Sequence, residues 1–207
     1  MATVSTNYSS TSDSTDIPIT LASLATSSSL TVGRQSTVVT NVSNKYLDCL
    51  VTGRVTTGTT PTTAKTIAVY IYVPLKVATS TFSYPIAGGT TLGESDAAAT
   101  FDADQRSGGL VFAQAASINA TSDRVYTFSF SVANQVGYMP LKWGLFVTHD
   151  TAVNLNSTAG NHYFHYVGLK DDVDFEQIPW RNGRFDPQVL EEKLENSERM
   201  ERLWTAW

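Results

Sequence analysis

Apolar and polar residues alternate in short runs through the middle of the chain, with turn-forming residues between the runs. In DRVYTFSFSVAN (residues 123–134), every second side chain is apolar, and these side chains are Tyr126, Phe128, Phe130 and Val132. KYLDCLVTGRVTT (45–57) and LKWGLFVTH (141–149) alternate in the same way. A period of two residues indicates a strand that buries one face.

The run TIAVYIYVPL (66–75) differs because it is apolar on both sides. Its two faces carry Ile67, Val69, Ile71 and Val73 on one side and Tyr70 and Tyr72 on the other. A strand of this composition can be buried on both faces. Pro74 lacks a backbone N–H, so we expect the strand pairing to end there.

Residues 29–169 contain seven or eight such strand-like runs, with a less regular stretch at 76–108 and no helical period between them. The pattern predicts an all-β domain, an antiparallel β-sandwich of jelly-roll or Ig-like type. A parallel α/β sheet is disfavoured, because the crossover between parallel strands needs about a dozen residues or more. GNHYFHYVGL (160–169) is predicted to be the last strand.

The first 28 residues are rich in Ser and Thr and are predicted to form an extended N-terminal arm. For residues 1–15, a floppy terminus is an equal alternative. The arm has a few apolar side chains that need a surface to cover them. They are predicted to bind a partner, and they are Ile17, Ile19, Leu21 and Leu24.

Residues 170–207 hold about half of the charged side chains of the chain, six basic and ten acidic. DPQVLEEKLENSERMERLWTAW (186–207) predicts an amphipathic helix, with Asp186 as N-cap and Pro187 in the first turn. Its apolar face is predicted to bind a partner and carries Val189, Leu190, Leu194, Met200, Trp204 and Trp207. Packing on the chain's own sandwich is the alternative. Insertion at a membrane surface is disfavoured, because such helices have basic polar faces.

Length and charge narrow the classes of function. A chain of 207 residues suits one sizeable domain with or without an appendage. Its 14 basic and 19 acidic side chains give a net charge of −5, which disfavours nucleic acid as a partner. The N-terminus lacks the pattern of a secretory signal, and no apolar run reaches the roughly 18 residues that span a bilayer. We therefore expect neither export nor membrane insertion.

Candidate chemistry is sparse, and the sequence predicts no catalytic residue, no metal site and no cofactor. His162 and His165 lie three apart on a strand, so their side chains point to opposite faces and cannot bind one metal without a bulge. His149 precedes Asp150, but no G-x-S-x-G nucleophile motif accompanies them. Cys49 lies in an apolar alternation and is predicted to be a buried thiol.

Acidic side chains cluster twice, in FDADQRSGG (Asp102, Asp104) and in KDDVDFE (170–176). The first begins like a calcium-binding loop, but Arg106 occupies the place of a third ligand and the final Glu is missing. Solvated loop charge is the preferred interpretation of both clusters. A pair of acids for glycoside hydrolysis stays open, since the separation of two carboxylates depends on the fold.

Two long stretches carry a resemblance. GRQSTVVTNVSNKYLDCLVTGRVTTGTTPTTAKTIAVYIYVPL (33–75) and MPLKWGLFVTHDTAVNLNSTAGNHYFHYVGL (139–169) resemble a family of small virion-associated proteins of tailed bacteriophages. The resemblance covers roughly residues 31–169 and excludes the charged C-terminal segment. It implies a structural part of the particle, on the head surface as a decoration or auxiliary protein, and it implies no catalytic residue.

The expected function is therefore that of a non-enzymatic virion protein, assembled in the host cytoplasm and oligomeric. Its expected partners are the major capsid protein or neighbouring virion subunits, bound through the two terminal extensions. A tail or head–tail connector component is one alternative. The other is a glycan-binding module that attaches the particle to its host through exposed aromatic residues such as Tyr70, Tyr72, Trp143 or Tyr163.

Overall fold

The structure is a computed structural model, and it describes residues 3–8, 14–78, 81–84, 86–87, 90–101, 109–174, 180–181 and 184–185. The chain divides into two compact units. The first unit combines Met1–Asn7 with Asp171–Trp207, and the second unit is Tyr8–Lys170. The predicted C-terminal helix and the acidic pair Asp102 and Asp104 lie outside the described residues.

Short strands make up most of the described chain. In order they are β1 (Thr3–Tyr8), β2 (Thr15–Asp16), β3 (Val32–Gln35), β4 (Val39–Thr40), β5 (Asp48–Thr56), β6 (Lys65–Tyr72), β7 (Leu75–Lys76), β8 (Phe82–Ser83), β9 (Ile86–Ala87), β10 (Thr90–Thr91), β11 (Ala97–Thr100), β12 (Val111–Ile118), β13 (Val125–Ser131), β14 (Lys142–His149), β15 (Tyr163–Asp174), β16 (Trp180–Arg181) and β17 (Arg184–Phe185). A short helix α1 (Val132–Val136) follows β13, and a 3-10 turn (Ala159–Asn161) precedes β15.

The second unit contains two antiparallel sheets. The first sheet has the strand order β15–β5–β13, with β2 on the outer edge of β15. The second sheet has the order β11–β3–β14–β6–β12, with β4 also paired to β14. The pairs β7–β8 and β9–β10 are separate two-stranded ribbons. In the first unit, β16 pairs with β17, and β1 pairs with β15, which continues past Lys170.

The main core lies between the two sheets and confirms an antiparallel, sandwich-like fold. The first sheet contributes Val51, Val55, Phe128, Phe130 and Phe164, and the second contributes Ile67, Val69, Ile71, Trp143, Leu145 and Val147. These are the residues that the two-residue period assigns to one face. Two apolar residues that precede strands and continue the alternation, Leu47 and Leu141, are instead exposed.

A second core covers the other face of the second sheet. Tyr72 of β6 and Phe146 of β14 are fully buried there, against Leu92, Phe101 and Leu110 from the irregular segment that follows β6. The rings of Phe101 and Phe146 meet edge to face with centroids 4.9 Å apart. The prediction that this run can be buried on both faces is therefore confirmed for residues 66–72. As expected, the strand pairing of β6 ends before Pro74, and Leu75 is exposed in β7.

Candidate partner-binding surfaces

The N-terminal segment lies on the chain's own sandwich from Ser14 onward. Ile17 and Leu21 are buried in the main core, while Ile19 and Leu24 are partly buried against it. The backbone is held as well, because Ile17 N–H donates to Phe164 O at 2.8 Å. In the single chain, these apolar side chains therefore contact their own domain, and partner binding through this segment stays a prediction.

Buried His149 connects this segment to the sheet. Its Nε2 donates to the backbone oxygen of Leu24 at 3.0 Å, and its Nδ1 lies 3.0 Å from Thr151 Oγ1. Ser27 N–H in turn donates to the His149 backbone oxygen. Burial lowers the pKa of His149 to about 4, although the bond to Leu24 and the nearby Asp150 oppose this shift. His149 is therefore neutral at pH 7, and both of its ring nitrogens have partners within the described chain. Its role there is structural.

His162 and His165 point to opposite sides of the sheet, as their spacing predicts. His162 is buried, accepts the Thr56 N–H at Nδ1 (3.3 Å) and donates from Nε2 to Asn156 O (2.9 Å). Only the neutral tautomer has this pair of bonds, and burial lowers the pKa of His162. Within the part of the chain that the structure describes, no group of three His, Cys, Asp or Glu side chains could hold a metal ion.

The outer face of the first sheet is the exposed surface that carries the other histidine. Here His165 Nδ1 lies 2.6 Å from Asp16 Oδ1, and the ring of Tyr163 packs beside the imidazole with centroids 4.7 Å apart. Arg54 is the cross-strand neighbour of Tyr163. The sequence pattern does not single out Asp16, because its approach to His165 depends on the register between β2 and β15.

The aromatic residues considered for sugar stacking have different environments. Tyr72 and Trp143 are fully buried, and Tyr70 is enclosed between the rings of Phe112 and Phe146. Tyr163, at 40% exposure, is the accessible one of the four. Of these four rings, the structure therefore leaves that of Tyr163 within reach of a ligand from solvent.

Cys49 is fully buried in the main core. Burial and the neighbouring Asp48 raise the pKa of its thiol to about 12, against a smaller opposing effect of the Trp143 indole. A thiol in this environment is almost entirely protonated at neutral pH and is a poor nucleophile. The prediction of a buried thiol is confirmed.

The predicted partner-binding residues of the C-terminal helix, Val189 to Trp207, lie outside the described residues. Among the described helices, none is long and apolar enough to cross a membrane. Comparisons with protein-family models, curated proteins and solved structures found no match for this chain.

Proposed function

We propose that this chain is a non-enzymatic structural protein of a tailed-phage particle, which decorates the head by binding the major capsid protein through its terminal extensions. The observation that carries the proposal is the grouping of both chain ends, Met1–Asn7 and Asp171–Trp207, in one compact unit. Two chain ends that belong to one unit can act together as an attachment device.

The reactive side chains of the sandwich are consistent with a structural function, because they are buried. His149, His162 and Cys49 are buried in internal contacts, so they serve the fold. The resemblance of residues 31–169 to small virion proteins points in the same direction. Many weak attachments on one particle give strong binding by multivalency, without a deep pocket in each subunit. We expect the sandwich to be of jelly-roll or Ig-like type and the protein to be a homo-oligomer.

Binding to purified capsids tests the proposal. The full chain is expected to bind at a fixed ratio to the major capsid protein, and a chain shortened to residues 1–185 is expected not to bind. Tyr163→Ala is the matched control, because it changes the exposed sheet face and leaves both ends intact. Circular dichroism checks that all three proteins have the same β content.

Each outcome has a clear meaning. Equal capsid binding by the shortened and full chains would contradict attachment through the C-terminal helix. Location of the chain in intact particles by electron microscopy distinguishes the head surface from the tail or head–tail connector. Copies found only at the tail would replace decoration with the connector function. Turnover of any substrate would contradict the non-enzymatic assignment.

A further inference from the structure

Four loops of the second unit line a groove that is open to solvent at one end of the sandwich. They are the turn at Ser23, the loop after β5, the turn between β12 and β13, and the loop between β14 and β15. The groove has a volume of about 370 Å³. This lies within the range of small-molecule sites, which run from roughly 300 to 1,000 Å³.

The floor of the groove is rigid because the backbone of Asn156 is bonded on both sides. Its N–H donates to Thr56 O, and its oxygen accepts bonds from Ser23 N–H and from His162 Nε2. The neighbouring residues Thr57 and Leu155 form a β-bridge. A Cβ on Gly58 would lie 2.2 Å from the backbone oxygen of Asn154, so the two facing loops approach as closely as only glycine permits.

Unfavourable backbone conformations concentrate around this groove. Ser23, Thr60 and Asp123 line it with φ values of 57°, 53° and 52°, and Ala152 beside it has φ 69°. The left-handed region is strongly disfavoured for a β-branched residue such as Thr60, whose N–H is held by Ser122 Oγ at 2.8 Å. Strained backbone conformations cluster at ligand-binding sites, and they also occur in tight turns such as these.

Several polar side-chain groups that line the groove make no hydrogen bond within the described chain, so they are available to a ligand. Asn156 Nδ2 donates to Asp123 Oδ1 at 2.7 Å, which orients the carboxylate and leaves Oδ2 without a donor among the described residues. Asn154, Thr59 and Ser157 also line the groove, and their exposed side chains make no hydrogen bond within the described chain. The exposed hydroxyls of Ser23 and Thr60 line the groove without a hydrogen bond as well, so the open groups are one carboxylate oxygen, one amide and four hydroxyls.

We infer from this set of groups that the groove binds a neutral sugar, one or two rings of a surface glycan. A carboxylate oxygen accepts from sugar hydroxyls, and the amide and hydroxyl side chains both donate and accept. An anionic ligand is disfavoured, because the groove is lined by Asp123 and by no basic residue. A metal ion is disfavoured by the single carboxylate in the lining. The inference does not rest on the proposed virion function.

Titration of the full chain with a panel of neutral hexoses and their disaccharides, followed by saturation-transfer NMR, tests the inference. Asn154→Ala removes an exposed side chain that bonds to nothing in the described chain, so the fold should be unaffected. Asp123→Asn keeps the shape and the acceptor for Asn156 but removes the charge. Each change is expected to weaken sugar binding about tenfold, the size expected for a lost hydrogen bond to a charged or polar group.

Tyr163→Ala is the matched control, because it removes the accessible aromatic ring on the sheet face and leaves the groove unchanged. Its affinity for the sugar is expected to equal that of the unmodified chain. Four results would overturn the inference: no saturation transfer from any sugar, unchanged binding by Asn154→Ala, loss of binding in Tyr163→Ala alone, or uptake of calcium without sugar. Capsid binding by the same variants is expected to be unaffected, which separates this inference from the proposed function.

Discussion

Acid is expected to destabilise this protein through its buried histidines, and His149 allows the size of the effect to be calculated. In the unfolded chain its imidazole has a pKa near 6.5, whereas burial lowers the pKa to about 4 in the folded chain. Between these values, the unfolded state binds a proton that the native state does not. The free energy of unfolding therefore decreases as the pH falls from 6.5 to 4.

The magnitude follows from the shift. Each pKa unit corresponds to about 1.4 kcal/mol, so His149 alone is expected to remove roughly 3 kcal/mol across this window. That is a large part of the 5 to 15 kcal/mol, roughly, that stabilises a typical domain. His162 contributes in the same direction, because a proton on its Nδ1 would displace the Thr56 N–H. Above pH 6.5 neither histidine makes stability depend on pH.

Urea unfolding between pH 7.5 and 4.5, followed by tryptophan fluorescence, measures the effect. His149→Gln is expected to be less stable than the unmodified chain at pH 7.5, and to lose less stability on acidification. His165→Gln is the control, because it removes the imidazole on the outer sheet face. If His149→Gln lost stability between pH 6.5 and 4.5 as steeply as the unmodified chain, the assignment to His149 would be refuted.

Three further predictions concern packing. Leu145→Ala, in the main core, is expected to lower the free energy of unfolding by about 2 to 5 kcal/mol, measured with urea. Leu75→Ala is the control, because Leu75 is 65% exposed and its loss should change stability by less than about 0.5 kcal/mol. Equal losses in the two variants would contradict the placement of the core. Gly58→Ala is expected to lower the melting temperature, because its Cβ would lie 2.2 Å from a backbone oxygen, whereas Gly160→Ala, with nothing within 4 Å, should not. Cys49 is expected to react with a thiol reagent only after unfolding, and fast labelling of the native protein would show that it is accessible.

The alternation of apolar residues was enough to predict the longer strands of the sandwich and their buried faces. It did not predict the short strands β3, β4 and β11, or the helix α1 that begins at Val132. Phe128 and Phe130 face the core, and β6 is apolar on both sides, because side chains on a strand point alternately to its two faces. The same rule correctly separates His162 from His165. It fails where a strand begins, as at Leu141, since an alternating pattern does not mark where sheet pairing starts.

Which elements cover these apolar faces could not be predicted from the sequence, because it is decided by contacts between residues far apart in the chain. The sequence predicted that Ile17 and Leu21 belong to an extended arm, yet both are buried in the main core. Phe101, from the irregular segment, helps to cover the other face of the second sheet. The hydrophobic effect is non-directional, so an apolar residue shows that it needs cover without showing which element supplies it. The groove has the same origin, because Ser23, Asp123 and Asn156 come together only when the sandwich brings its loops to one end.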